Sequence, residues 1–405
     1  MRARCLIFVF VAALPLTAQD QNMGANLAGL RTDLEHFRAE APQHQETRGA
    51  SPRLTGIKHQ LRDWVESQLG ELPSDPNGAD GSEVALAERL NAEFKREHLF
   101  GETAATPVAN PDSAVGYLGP VKLEYRQRQA YLVLETFVGI QDCGIDESAY
   151  LYRWQDGHWK RIWDTEQSTY TKERYLPQFI RAVHVSPSFA ETNPFILTLG
   201  SDTWCTSNWH DVYVRIWKVG PSGQEPKLLM DRSEWAYLGR SDVPIEGSIG
   251  RSDALIEYAT HSIDGGVLTR ETILHYSLTP DKVERIDPVA LSPRDFVEEW
   301  LAEPWEQSQL HSNPSALDFL KKAHQDAGRD EFQPTRSCRT PEVWQVGLES
   351  IDGKKAPVYY FVRWRPPYHF TMNRASERPS PDCTVLDPAA DDATRKLFPV
   401  QDWRE

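Results

Sequence analysis

Past its first twenty residues the chain has no apolar run approaching the length of a membrane-crossing helix, so no span is expected in the mature protein. Catalytic signatures are missing too. There is no G-x-S-x-G elbow, no H-E-x-x-H pair, no phosphate-binding glycine loop and no dinucleotide fingerprint. Calcium loops of the D-x-D-x-D-G type are absent, as are C-x-x-C and H-x-x-x-H pairs, so neither a metal nor a cofactor is expected. Positive charge is in short supply: 44 lysines and arginines face 59 aspartates and glutamates, a formal net charge of −15. Nucleic acid and anionic lipid surfaces repel a chain of that average charge, so neither is an expected partner; a local basic patch remains compatible with it.

Cysteine is scarce as well. Of five, Cys5 precedes an apolar stretch from Leu6 to Leu16 that follows the basic residues Arg2 and Arg4 and ends in Leu16-Thr17-Ala18. That order reads as a secretory signal over residues 1–18, and export to the periplasm or the extracellular space is the expected fate. Four cysteines remain, and an even count in an exported chain is read as two disulfides. Cys143 and Cys205 occupy equivalent places in two sequence repeats and form one expected pair; Cys338 and Cys383 form the other.

What is present is repetition. Three copies of a strand-rich unit run from about residue 116 to about 291 at a period of roughly 60 residues. The third strand of each is Tyr150–Trp154, Tyr213–Trp217 and Thr272–Tyr276; the fourth is Arg161–Asp164, Leu228–Asp231 and Glu284–Asp287. Turn chemistry at Gln155-Asp-Gly-His158, Gly220-Pro-Ser-Gly223 and Thr279-Pro-Asp-Lys282 joins them as hairpins. The second strands, Tyr131–Glu135, Phe195–Leu199 and Ala254–Tyr258, are nearly all apolar, which predicts burial on both faces. Tandem four-stranded meanders of this kind resemble the blades of a partial or small β-propeller.

The flanks differ. Residues 19–112 carry apolar stripes at helical spacing (Leu27, Leu30, Leu34; Leu54, Ile57, Leu61; Leu86, Leu90, Phe94), with a cap expected at Ser82 and a linker over 103–113. Residues 292–405 open on Ser292-Pro-Arg-Asp295, a strong helix start, and continue through a second helix to the hairpin Val343–Leu348 and Val358–Trp364. The expected organisation is a signal (1–18), a helical region (19–112), a three-repeat β domain (113–291) and an α+β domain (292–405). The fold class is therefore mainly β with flanking helices.

The candidate site is the set of loops between second and third strands: Asp142 and Asp146 in the first copy, Asp202, Trp204, Trp209, His210 and Asp211 in the second, His261 and Asp264 in the third. Tryptophans there can stack on a sugar face or grip a peptide, with acids and histidines at the polar edge; equally, they can pad the junction between repeats. No residue is assigned a catalytic role. The leading expectation is an exported, non-enzymatic binding or scaffold protein whose partner is a glycan, a peptide or an envelope protein. The alternative is a carbohydrate-active or other hydrolase using two of these loop carboxylates. Glu298-Glu299, beside Trp300, reads as the solvent face of its helix. Arg363-Trp-Arg365-Pro-Pro-Tyr368, the most basic aromatic stretch, can hold an acidic ligand by forked hydrogen bonds or simply end a strand in a proline corner.

Overall fold

The structure is a computed structural model that describes residues 17–40, 52–73, 81–100, 115–126, 131–140, 144–166, 178–187, 193–202, 208–221, 224–237, 245–264, 269–287, 289–325, 330–351, 353–365 and 369–385. Most of the expected signal, the 103–113 linker, and both Cys143 and Cys205 lie outside the described residues.

Three helices come first: α1 (Thr17–Glu40), α2 (Pro52–Gln68) and α3 (Ser82–Arg96). The apolar stripes of the sequence are their buried faces, and Leu30, Leu34, Ile57, Leu61, Leu90 and Phe94 share one core. The cap of α3 is Gly81 at φ 84°, a backbone conformation glycine adopts without strain, and not Ser82, whose hydroxyl instead lies 3.4 Å from the Tyr125 hydroxyl.

Three antiparallel meanders follow. The first is β1 (Lys122–Arg126), β2 (Tyr131–Ile140), β3 (Gly144–Gln155) and β4 (His158–Asp164); the second is β5 (Gln178–Val185), β6 (Phe195–Asp202), β7 (Trp209–Lys218) and β8 (Lys227–Tyr237). The third is β9 (Glu246–Ile249), β10 (Asp253–His261), β11 (Thr269–Leu278) and β12 (Val283–Arg285). The first forms its own sheet. The second and third share an eight-stranded sheet, joined where Thr260 of β10 pairs with Ala236 of β8.

Alternation along each strand sorts side chains onto two faces. Leu132, Leu134, Tyr150 and Tyr152 face the helices, while Tyr131, Val133, Ala149 and Leu151 meet Val183, Ile196 and Trp217 of the second meander. The nearly all-apolar β2 is thus explained: it serves two cores. A third core lies between the second and third meanders, with Leu197, Leu199 and Val214 packed among Ile256, Tyr258 and Leu274.

The C-terminal part is α+β. Ser292 caps α4 (Pro293–Ala302) by accepting the Asp295 N–H, with Pro293 in the first turn. After α5 (Trp305–Ser308) and α6 (Leu317–Gln325) come β13 (Asp330–Phe332), β14 (Arg336–Cys338), β15 (Val343–Ser350), β16 (Val358–Arg365), β17 (His369–Ser376) and β18 (Cys383–Val385). The expected hairpin is the β15–β16 pair, in a sheet ordered β17-β16-β15-β14-β18 with β13 also on β15. Phe296, Val297 and Trp300 of α4 cover one face of this sheet, against Val346, Tyr360, Val362 and Met372. Cys338 and Cys383 are register partners of β14 and β18 and are disulfide-bonded. No helix among the described residues is long and apolar enough to cross a membrane.

Candidate functional site

The strands run further than the apolar runs that reveal them, because buried backbone N–H and C=O groups keep pairing through polar residues. The expected loops are correspondingly shorter. Asp146 lies within β3, Trp209, His210 and Asp211 open β7, and His261 ends β10. Asp202 closes β6 opposite Gln178, and Asp142 and Trp204 lie outside the described residues.

Two of the candidate acids are held in buried ion pairs. Asp146 is only 2% exposed and receives the Lys58 ammonium of α2 at 2.9 Å. Beside it, Glu166 accepts the Tyr150 hydroxyl at 2.9 Å and Arg62 at 3.0 Å, so this polar cluster ties α2 to the first meander. Asp264, also buried, pairs with Arg294 of α4, and its N–H donates to the Ser262 hydroxyl at 3.1 Å. Asp146 faces α2 and Asp264 faces α4, so these two do not confront each other across a cleft.

Glu298 and Glu299 correct the sequence expectation: they are 1% and 6% exposed, not on a solvent face. Glu298 accepts the Ser262 hydroxyl at 2.6 Å and the Ile263 N–H at 2.7 Å. Glu299 accepts Arg270 at 2.7 Å, Arg285 at 2.9 Å and the Thr272 hydroxyl at 3.2 Å. Burial pushes the Glu298 carboxyl up despite these hydrogen bonds. Burial pushes the Glu299 carboxyl up too, but the guanidinium groups of Arg270 and Arg285 outweigh it and hold the group below the usual carboxylate range. The polar face of α4 therefore looks onto arginines of β11 and β12, not onto water.

What the structure brings together is aromatic. Trp209 and Tyr237 are register partners at the end of the β7–β8 ladder, with ring centroids 5.2 Å apart. Asp211 opposes Trp235, so Trp209, Asp211, Trp235 and Tyr237 share one face of the ladder. The Trp209 and Trp235 rings lie 4° from parallel at 6.4 Å, and the His261 ring lies 5.7 Å from Trp209. Trp235 is 50% exposed. Asn208 donates to the Tyr237 hydroxyl at 3.5 Å, giving the ledge a polar rim. His210 pairs with Ala236, and alternation turns both toward the other face.

Sequence reasoning found Trp209 and His261 but missed Trp235 and Tyr237. The pattern that marks the fourth strand of the second repeat stops at Asp231, and the polar–aromatic alternation of Glu234-Trp-Ala-Tyr237 is the signal that the strand continues. Two near-parallel indoles with a hydroxyl, an imidazole and a carboxylate at the edge can stack on a flat, weakly polar ligand face and hydrogen-bond its rim. Among the described residues no group of three or more His, Cys, Asp or Glu side chains could hold a metal ion.

No family model matches the chain, and no curated protein matches it. Among solved structures it is similar to an alpha-L-arabinanase of Penicillium chrysogenum complexed with arabinobiose, at 11% identity and a TM-score of 0.24, over 72% of this chain and 71% of that one. That likeness is too slight to bear on fold or activity.

Proposed function

We propose that this is an exported binding protein of the cell envelope, not an enzyme, and that the aromatic ledge is its ligand surface. The observation that carries the reading is Trp235, half exposed and nearly parallel to Trp209, with Tyr237 and His261 in the same cluster. A glycan is the favoured ligand over a peptide or an envelope protein. Sugar rings offer a flat C–H face for the indoles and hydroxyls for Asp211 and the rim.

Export is supported by the basic-then-apolar leader and by the Cys338–Cys383 disulfide, since such bonds persist in oxidising compartments. Binding without catalysis is supported by the engagement of Asp146 and Asp264 in buried ion pairs. The fold supports a ligand surface at a strand end: three meanders packed face to face are read as a partial propeller, flanked by the N-terminal helices and α4.

The test is calorimetric titration of residues 19–405, with disulfides intact, against neutral oligosaccharides, cell-wall fragments and peptides. A saturable ligand is expected, with Trp235→Ala weakening it roughly tenfold while leaving the melting temperature within a few degrees. Equal affinity in the variant would remove the ledge from the reading. Turnover of a bound oligosaccharide would replace it with the hydrolase alternative.

A further inference from the structure

The C-terminal sheet has a second face. Tyr360, Val362 and Trp364 of β16 point into the core under α4, so alternation sends Phe361, Arg363 and Arg365 to the other side. Arg363 pairs in register with Thr371 of β17, and Phe361 with Arg374. Between those pairs the register shifts by one residue, and Asn373 is the extra residue of the bulge. A groove of about 500 Å³ opens on this face, lined among others by Arg363, Arg365, Arg374, Thr371, Asn373 and Asp382, with the Cys338–Cys383 disulfide in its wall.

We propose that this groove binds a small hydroxylated anion, one carrying a carboxylate or a phosphate group. The first argument is charge. In a chain of net charge −15, three arginines converge here against a single acid of the lining, Asp382, which already lies 3.6 Å from Arg339. Among the described residues the Arg363 guanidinium has no hydrogen-bond or ion-pair partner, which leaves its forked donors facing the groove. Among the described residues Arg365 pairs with Glu342 alone, at 3.6 Å on an exposed rim. The second argument is preorganisation. The Arg374 guanidinium lies 3.8 Å from the centre of the Phe361 ring, a cation–π contact that fixes its plane and leaves its N–H edge for an acceptor. The third is size and polarity. The volume is that of a small-molecule site, and Thr371 and Asn373 add hydroxyl and amide groups suited to a polyol.

The site is separate from the aromatic ledge, and the experiment keeps them apart. The full chain from residue 19 is titrated by calorimetry at low ionic strength with D-glucuronate, glucose 6-phosphate and, as the uncharged control, glucose. Saturable binding of at least one anion is expected, with glucose at least tenfold weaker and affinity falling as salt is raised. Arg363→Ala weakens the anion about tenfold or more, Arg363→Lys recovers part of the loss through charge without the fork, and Trp235→Ala leaves it unchanged. Preference for glucuronate assigns the groove to carboxylates, and preference for the sugar phosphate to phosphates. Absence of saturable binding by both anions overturns the proposal, as does wild-type affinity in a normally melting Arg363→Ala protein, or glucose binding as tightly as the acids.

Discussion

At the scale of single residues, Glu147 carries a pH signature that falls in the working range. It stands on β3 among the side chains that face the second meander, is 5% exposed, and leaves Oε2 without a hydrogen bond to any described residue. Burial pushes its carboxyl up to about 8, and the nearby Glu135 adds to the shift. The folded state therefore holds a proton that the unfolded chain releases at ordinary carboxylate pH. Its contribution to stability is fully present below the unfolded value and is lost as pH rises through about 8. Glu147→Gln keeps the shape and removes the titration. Denaturant melts at stepped pH are expected to show the variant gaining on the wild type from about pH 5 to 8, by about 1–3 kcal/mol at the upper end. A difference that does not change with pH would show that the group is ionised in both states.

Residues also mark where sequence reading stops. Trp209 and His261 were legible because large aromatics and imidazoles near a turn stand out in a repeat. Glu298 and Glu299 were not, because hydropathy records the residue and not its partner. A carboxylate facing arginines 14 and 29 positions away looks the same, in sequence, as one facing water. Asp146 was misplaced for the same reason, its partner Lys58 being 88 residues away.

At the scale of elements, the strands and the Ser292 cap were legible; the strand ends and the Gly81 cap of α3 were not. Alternation, turn residues and the Ser292-Pro start follow from local backbone chemistry, and those elements stand where the pattern puts them. Strand ends depend on pairing with neighbours distant in sequence, which is why β8 outruns its apolar run by six residues, from Asp231 to Tyr237. The α4 helix shows what such long-range pairing is worth. Glu299→Gln would leave Arg270 and Arg285 buried beside a neutral amide, and breaking one side of a buried ion cluster costs about 3–5 kcal/mol. The melting temperature of that variant is expected to fall by many degrees, whereas Glu306→Gln at an exposed position of the short helix α5 should leave it nearly unchanged. A comparable effect is expected from the Cys338–Cys383 bond. It spans 45 residues, and the loss of its loop constraint corresponds to about 4 kcal/mol on the chain-entropy estimate. Melts with and without reductant, alongside a Cys338→Ser/Cys383→Ser variant, measure it. If reduction leaves the wild type as stable as before, the bond does not constrain the unfolded chain as that estimate requires.

At the scale of the whole molecule, the line of contact follows chain order: helices, first meander, second meander, third meander, then α4 and the C-terminal sheet. The first and second meanders are apolar on both sides and the third is tied to α4 by the buried Glu299–Arg270–Arg285 cluster, so no layer is independent of the next. The N-terminal helices are the terminal cover of that line. Without them, Leu123, Leu132, Leu134, Val138, Tyr150 and Tyr152 of the first meander would meet water as one contiguous patch. Asp146 would also lose Lys58. A chain beginning at residue 113 is therefore expected to associate through that face even though it keeps all three meanders, because exposed apolar surface of this extent drives assembly. Light scattering compares it with the 19–405 chain at equal concentration. A mass well above the monomer and a broadened thermal transition are the expected result. A monomeric, sharply melting 113–405 protein would mean that the first meander tolerates an open face and that the helices serve something other than cover.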